Sequence, residues 1–469
     1  MSFLYEPVGT AAVKRYTNCI IMQLRAADKI LVRFLALGVA CMLVLLPFHA
    51  FLTVWASQLV GHYTAVRLWK EALLVVLAGG ATYLLVRYQL LRQRFFAPRF
   101  LWPVWLFVAV QILWGAVAYI MHGVTAKALG YGLISNTRYI LFFVVVWAVA
   151  AAVPQLKRQW QRLVFWPLAV VLLVGLLQYF VLPYNVLRHF GYSSATIFPY
   201  EDINSNLHYI RIMSTLRGAN PLGAYVAVML CLVLAIRRYR SWWWYALLAA
   251  GLAVLVLTFS RGAWVGFAGG ACGVVAAYVP FRKWRWQLAA GGAVVVLAAA
   301  GAVLFLHHNT TFQNVFLHTQ ANSAVAATSN AGHTTALQQG LHDIAAEPFG
   351  RGTGTAGPAS VYNTGHPARI AENYFIQIAQ ETGWIGLVLF VAVNVMIITR
   401  LWQLRSQPLP LGLCAGLIAA SIVGLFSHVW ADDTLAYVWW GLAGIALAPA
   451  ILQTKAEQIH APQPSIAKD

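Results

Sequence analysis

The string GLAVLVLTFSRGAWVGFAGG occupies residues 251–270. Two apolar runs, 242–260 and 262–280, meet there at Ser260-Arg261-Gly262 with almost no loop between them. A helix needs about 20 mostly apolar residues to cross a bilayer's hydrocarbon. Each run is long enough, so the chain is expected to span, turn at Arg261 and span again. A guanidinium this close to hydrocarbon costs a few kcal/mol or more unless something compensates it. It can snorkel to the headgroups. It can also grip a phosphate through two parallel hydrogen bonds.

Reading outward, ten further stretches qualify as spans: 34–52, 66–86, 100–120, 136–154, 163–183, 218–236, 287–306, 373–399, 408–428 and 433–453. The composition agrees. The 469 residues are 61% hydrophobic and 10% charged, against about 25% charged in a soluble domain. The net charge of +19 has no polar domain to carry it, which excludes a nucleic-acid-binding module. With the N-terminus inside, 22 of the 32 Lys and Arg fall in inner segments and ten in outer ones, the bias of the positive-inside rule. Nine of the 13 acids, and all histidines except His460, fall outside or at outer span ends. The inner face therefore reads as cationic anchoring. The outer face mixes Arg, His and carboxylates, as a reaction site needs. Five cysteines show no metal spacing and read as packing residues.

The expected architecture is an all-α polytopic membrane protein with about 12 transmembrane helices and a large, partly helical periplasmic loop. A cytoplasmic segment, 1–33, precedes helices one to nine over 34–306. The loop covers 307–372, helices ten to twelve 373–453, and a cytoplasmic tail 454–469. Within the loop, Leu337, Leu341 and Ile344 recur at helical spacing, so 335–346 reads as a short amphipathic helix. Thr334 or Thr335 is its expected cap, and Pro348 its end. A Gly-rich turn follows at 350–358, containing Arg351. It reads either as a plain turn or as a backbone anion contact.

The candidate site residues lie on the outer side. Arg211 and Arg217 flank a helix start containing Gly218, Asn220 and Pro221. Helix N-termini favour anions, so this end suits a lipid diphosphate or, more blandly, headgroups. Glu372 stands where the loop re-enters the membrane, beside Asn373. It is either a general base or a helix-start carboxylate complementing the dipole. His333 and His342 are further candidates for a base or a leaving-group contact. Asp432-Asp433 opens the last span and reads as helix-start charge. No metal motif is present.

The order of these motifs resembles the O-antigen ligase and polymerase superfamily of bacterial envelope glycan proteins. Ser260-Arg261-Gly262, the Arg217-Gly218-Ala219-Asn220-Pro221 helix start, and Asn373 followed by nine residues and Gly383-Trp384-Ile385-Gly386 carry the resemblance. So does Ala336–Gly354, with Pro348-Phe349-Gly350 and Gly352. Where that family usually has His-Asn, this chain has Glu372-Asn373; where it often has an Arg near the loop helix, His333 lies nearby. The resemblance implies a C-type glycosyltransferase fold needing no metal, cofactor or nucleotide. The implied donor is an undecaprenyl-diphosphate-linked O-antigen and the implied acceptor the lipid A–core oligosaccharide, at the periplasmic face of the inner membrane. Glu372, His342 and His333 would then be catalytic. Arg261, Arg217, Arg211 and Arg351 would bind the diphosphate, with Ser260, Asn220 and Asn373 in support. A polymerase or a protein oligosaccharyltransferase would share the donor. A transporter is the non-enzymatic alternative, although the midplane here is nearly free of charge, unlike many transporters.

Overall fold

A computed structural model describes residues 25–89, 91–92, 101–203, 206–236, 241–279, 286–287, 301, 303–317 and 329–448. Most of the expected span 287–306, the basic clusters at 94–99, 237–240 and 282–285, and the tail 454–469 lie outside these residues. The described chain is helical apart from one two-stranded ribbon. Helix α1 is Ala26–Leu45; a 3₁₀ turn at Leu46–Phe48, containing Pro47, leads into α2, His49–Val60. Then come α3 (Tyr63–Arg67), α4 (Trp69–Arg87), α5 (Trp102–Ile120), α6 (Ala126–Ala152) and α7 (Pro154–Phe180). Strands β1 (Glu201–Ile203) and β2 (Asn206–Arg211) precede α8 (Ala219–Ala235), α9 (Trp242–Leu257) and α10 (Arg261–Tyr278). The last helices are α11 (Ser329–Ala346), α12 (Tyr374–Gln403), α13 (Pro408–Gly424) and α14 (Asp433–Leu447).

Among the described residues, six helical segments are long and apolar enough to cross a membrane: Ala26–Val60, Tyr63–Arg87, α5, α6, α7 and α12. Helices α8, α9 and α13 are apolar but shorter, at 16–17 residues. That is about 25 Å of helix, less than the roughly 30 Å of hydrocarbon. Nearly every residue of α8 and α13 is buried. A helix enclosed by others meets protein rather than lipid, so bilayer thickness does not set its length.

Small residues set the central packing. A Cβ added to Gly266 would lie 2.8 Å from the Ala419 carbonyl oxygen, and one on Gly270 2.8 Å from that of Ala415. Backbones of α10 and α13 therefore touch, the usual device for helix association without a hydrophobic drive. On α8, a Cβ on Gly223 would come within 2.9 Å of the Ser260 and Ala263 side chains. That close fit fixes the Ser260-Arg261 turn against the start of α8.

The loop helix runs from Ser329 to Ala346, six residues longer at its start than expected. Thr334 is not its cap, because its hydroxyl donates back to the Asn330 carbonyl at 2.9 Å, inside the helix. The segment between α7 and α8 holds the β1–β2 ribbon, with Glu201 opposite Arg211.

Two buried polar clusters hold the loops to the bundle. In the first, Glu381 on α12 is fully buried. Its carboxylate accepts from the Gly354 amide at 2.7 Å and from Asn136 Nδ2 at 2.6 Å. The adjacent Gly383 has φ 64° and breaks the helical path of α12. Into that break fits Pro348-Phe349-Gly350: Trp384 N donates to the Pro348 carbonyl, and Gly352 N to that of Glu381 at 2.7 Å. The Gly-rich turn is thus anchored to protein. In the second cluster, Asp433 at the start of α14 pairs with Arg138, with Lys70 Nζ at 3.1 Å and with His49 Nε2 at 3.3 Å. Glu71 shares both cations, at 3.1 Å from each.

Removing one partner of a buried ion cluster leaves uncompensated charge, at a cost of about 3–5 kcal/mol. Asp433→Ala should therefore lower the apparent melting temperature of the detergent-purified protein by many degrees. Helix-start charge alone would cost below about 1 kcal/mol and a shift of a degree or two.

Candidate functional site

The starts of α8, α10 and α12 and the ends of α9 and α13 meet at one end of the bundle, where α11 lies against them. Between them is a cavity of about 620 Å³ lined by Arg211, Asn220, Ser260, Arg261, His333 and Glu372, among others. A smaller recess of about 210 Å³ continues from it, sharing Asn220, His333 and Glu372 and adding Arg217, His428 and Asp432. One side of the larger cavity is apolar, with Val265, Leu337, Val423 and Phe426.

Each cation is positioned by the local fold. Arg211 ends β2, where its Nε donates to the Thr258 carbonyl at 2.9 Å. One of its terminal nitrogens donates to Asn220 Oδ1 at 2.5 Å, and Glu201 lies 3.6 Å from the other. Arg261 is the first residue of α10. Its guanidinium donates to Asn330 Oδ1 at 2.7 Å and to the Phe316 carbonyl at 3.4 Å. Arg211 and Arg261 are close enough for their charges to act on each other. Two like charges lining one cavity favour an anion between them. Arg217 lies further along, its Nε 3.1 Å from Asp432. Asp432 also caps α14, accepting from Leu435 N at 3.2 Å. The expected helix-start role of this acid is therefore observed, together with an ion pair to Arg217.

Opposite the arginines, His333 Nδ1 and Glu372 Oε2 form a hydrogen-bonded pair. That bond, above all, holds the Glu372 carboxyl below its ordinary range; partial burial opposes it, and the charges of His333 and His428 add to it. Glu372 has φ 51°, a left-handed conformation costing a non-glycine residue about 1–2 kcal/mol. The next residue enforces it. Asn373 caps α12, accepting from Phe375 N and Ile376 N at 3.0 and 3.1 Å, and donates to the Leu425 carbonyl at 3.1 Å. Strain held in place this way is commonly found where a side chain must point into a site.

Of the sequence candidates, Arg211, Asn220, Ser260, Arg261, His333 and Glu372 converge on the larger cavity, and Arg217 on the recess. Asn373 supports the pair from behind. His342 and Arg351 line neither space. His342 is exposed on α11, and Arg351 pairs with Glu347, four residues earlier in the same loop. Ser260 is buried, and no side-chain hydrogen bond caps α10 from it. Its tight packing under Gly223 explains a small residue there. Asn330, Glu201 and His428 were not foreseen. Glu201 fills the helix start offered to an anion: its Oε2 accepts from Ala219 N at 3.3 Å. His428 Nε2 is buried in the recess with no hydrogen-bond partner among the described residues. Among the described residues, no three His, Cys, Asp or Glu gather as metal ligands.

The family model described as O-antigen ligase matches residues 246–391, from α9 through α12. The matched segment carries Arg261, His333 and Glu372, and the two glycine motifs that interlock at Gly383. Arg211, Arg217 and Asn220 lie before it. No curated protein matches the chain. Over those residues, less than a third of the chain, the sequence is similar to the O-antigen ligase family.

Proposed function

We propose that the chain is an inverting, metal-independent glycosyltransferase. In this reading it moves an O-antigen glycan from undecaprenyl diphosphate to the lipid A–core oligosaccharide. It sits in the inner membrane with both termini cytoplasmic and the cavity at the periplasmic face. The observation carrying the proposal is the single cavity that faces two arginines toward a His–Glu pair beside an apolar wall. A lipid diphosphate needs those three surfaces together.

In this reading the diphosphate lies between Arg211 and Arg261, and the lipid tail leaves along Val265, Leu337 and Phe426. The guanidiniums stabilise the charge that grows on the departing diphosphate. Glu372 takes the proton of an acceptor hydroxyl, whose oxygen bonds to the anomeric carbon from the opposite face. The bond from that carbon to the diphosphate oxygen breaks, and the electron pair leaves with the diphosphate. A carboxylate held below its ordinary range is a weak base. It accepts the proton only as the leaving group departs, when the attacking oxygen turns acidic. His333 orients the carboxylate, and α11 above them excludes water.

Arg261→Ala should lower transfer of a labelled lipid-linked glycan to lipid A–core by at least about 100-fold, with unchanged helical circular dichroism. Arg261→Lys should recover little, because lysine lacks the planar fork. Wild-type turnover in the alanine variant would remove Arg261 from the site. Glycan that only lengthens on its own carrier would identify a polymerase instead.

Glu372→Gln should cost about 100-fold or more if the carboxylate is the base, and almost nothing if it serves only the helix dipole. The pH profile tests the pair independently. Because the folded carboxyl lies low, the active ionised form persists until the pH falls below the ordinary glutamate value of about 4.3. In His333→Leu the main cause of that lowering is gone. The acid limb of kcat/KM should then move to higher pH, and an unmoved limb would sink the pairing.

A further inference from the structure

Beyond Arg217 the recess opens into two more cavities, each of about 550 Å³. Both are lined by Arg67, Tyr131, Arg217 and Tyr362, and one adds Lys127. Their base is the buried Lys70–Glu71–Arg138–Asp433 cluster, in which two cations and two acids balance. Arg217 is balanced by Asp432. Arg67 and Lys127 remain: among the described residues no ion pair is made by either, although both line a cavity. Glu201, which also lines one of the cavities, is the acid paired with Arg211. Positive charge in excess of the protein's own acids, in a concave space, is an anion site.

The aromatic groups say what kind of anion. The rings of Tyr131 and Tyr362 stack 4.4 Å apart at 20°, and Lys127 Nζ lies 4.6 Å from the Tyr362 ring centroid. Tyr362 is held rigidly. Its carbonyl accepts from Thr125 Oγ1 at 2.9 Å, and the next residue, Asn363, accepts from Thr125 N at 2.9 Å. A fixed phenol pair offers an apolar face with polar rims, which suits the C–H face and hydroxyls of a pyranose. A lone inorganic anion would need no such wall.

We infer that these joined cavities form a subsite for a sugar residue carrying a phosphate or carboxylate, held by Arg67 and Lys127 beside the Tyr131–Tyr362 stack. Identifying that sugar as part of a glycan substrate rests on the transferase reading; the binding itself does not. The shared Arg217 makes the subsite continuous with the His333–Glu372 pair, so an anchored sugar presents the rest of its chain to the transfer cavity.

The test is isothermal titration calorimetry on the full chain in detergent, with glucose 6-phosphate, glucuronate, glucose and inorganic phosphate as probes, run in Arg261→Gln so that the anion site of the transfer cavity is weakened. The two charged sugars should bind at least about ten-fold more tightly than glucose or phosphate, a difference of about 1.4 kcal/mol. Adding Arg67→Gln with Lys127→Gln should remove that preference, and adding Tyr131→Ala should weaken both charged sugars together. Equal binding with and without the Arg67 and Lys127 substitutions, phosphate binding as tightly as its sugar ester, or no charged-sugar binding in Arg261→Gln would each overturn the assignment.

Discussion

Two guanidinium groups of like charge face one cavity, and much of the surrounding structure serves to keep them there. Arg211 is held by the Thr258 carbonyl and Asn220, and Arg261 by Asn330 and the Phe316 carbonyl. These four acceptors are neutral and orient a cation without cancelling its charge, while Glu201, 3.6 Å from Arg211, sets a carboxylate beside them. Where the chain needs to cancel charge it does so with carboxylates, as Asp433 does for Lys70 and Arg138.

The chain was legible in its apolar helices and in which polar residues gather at one end of the bundle. Apolar runs gave helices near the expected bounds from Trp242 to Tyr278 and from Tyr374 on. The expected spans 34–52, 136–154 and 163–183, however, fall within helices that begin eight to ten residues earlier, at Ala26, Ala126 and Pro154, the first of them broken at Pro47. The turn at Ser260-Arg261-Gly262, the helix start after Arg217 and the re-entry at Glu372-Asn373 fell at one end of the bundle. These signals are local: hydropathy, a helix start and the proximity of two spans need no partner to be read. His333 and Glu372 were each recognisable as polar residues in an outer loop, but their pairing joins positions 39 apart.

What stayed hidden was pairing across the fold. Glu381 stands inside an apolar run and has no local meaning. Its purpose appears only when Gly354 and Asn136, 27 and 245 residues away, come to its carboxylate. Arg351 resembled an anion ligand because glycines flank it, but Glu347 on the same loop claims it. The ribbon at 201–211 was missed because its two short strands alternate polar and apolar residues too briefly to register. Glu201 was visible as an outer acid, yet nothing in the sequence placed it at the amide groups of α8.

The depth of the two arginines has a further consequence. The Arg211 side chain is only 13% exposed, and Arg261 is half-buried. Charges withdrawn from water are screened less by solvent and salt than charges on an open surface. An anion drawn to that pair would therefore be loosened little by ionic strength.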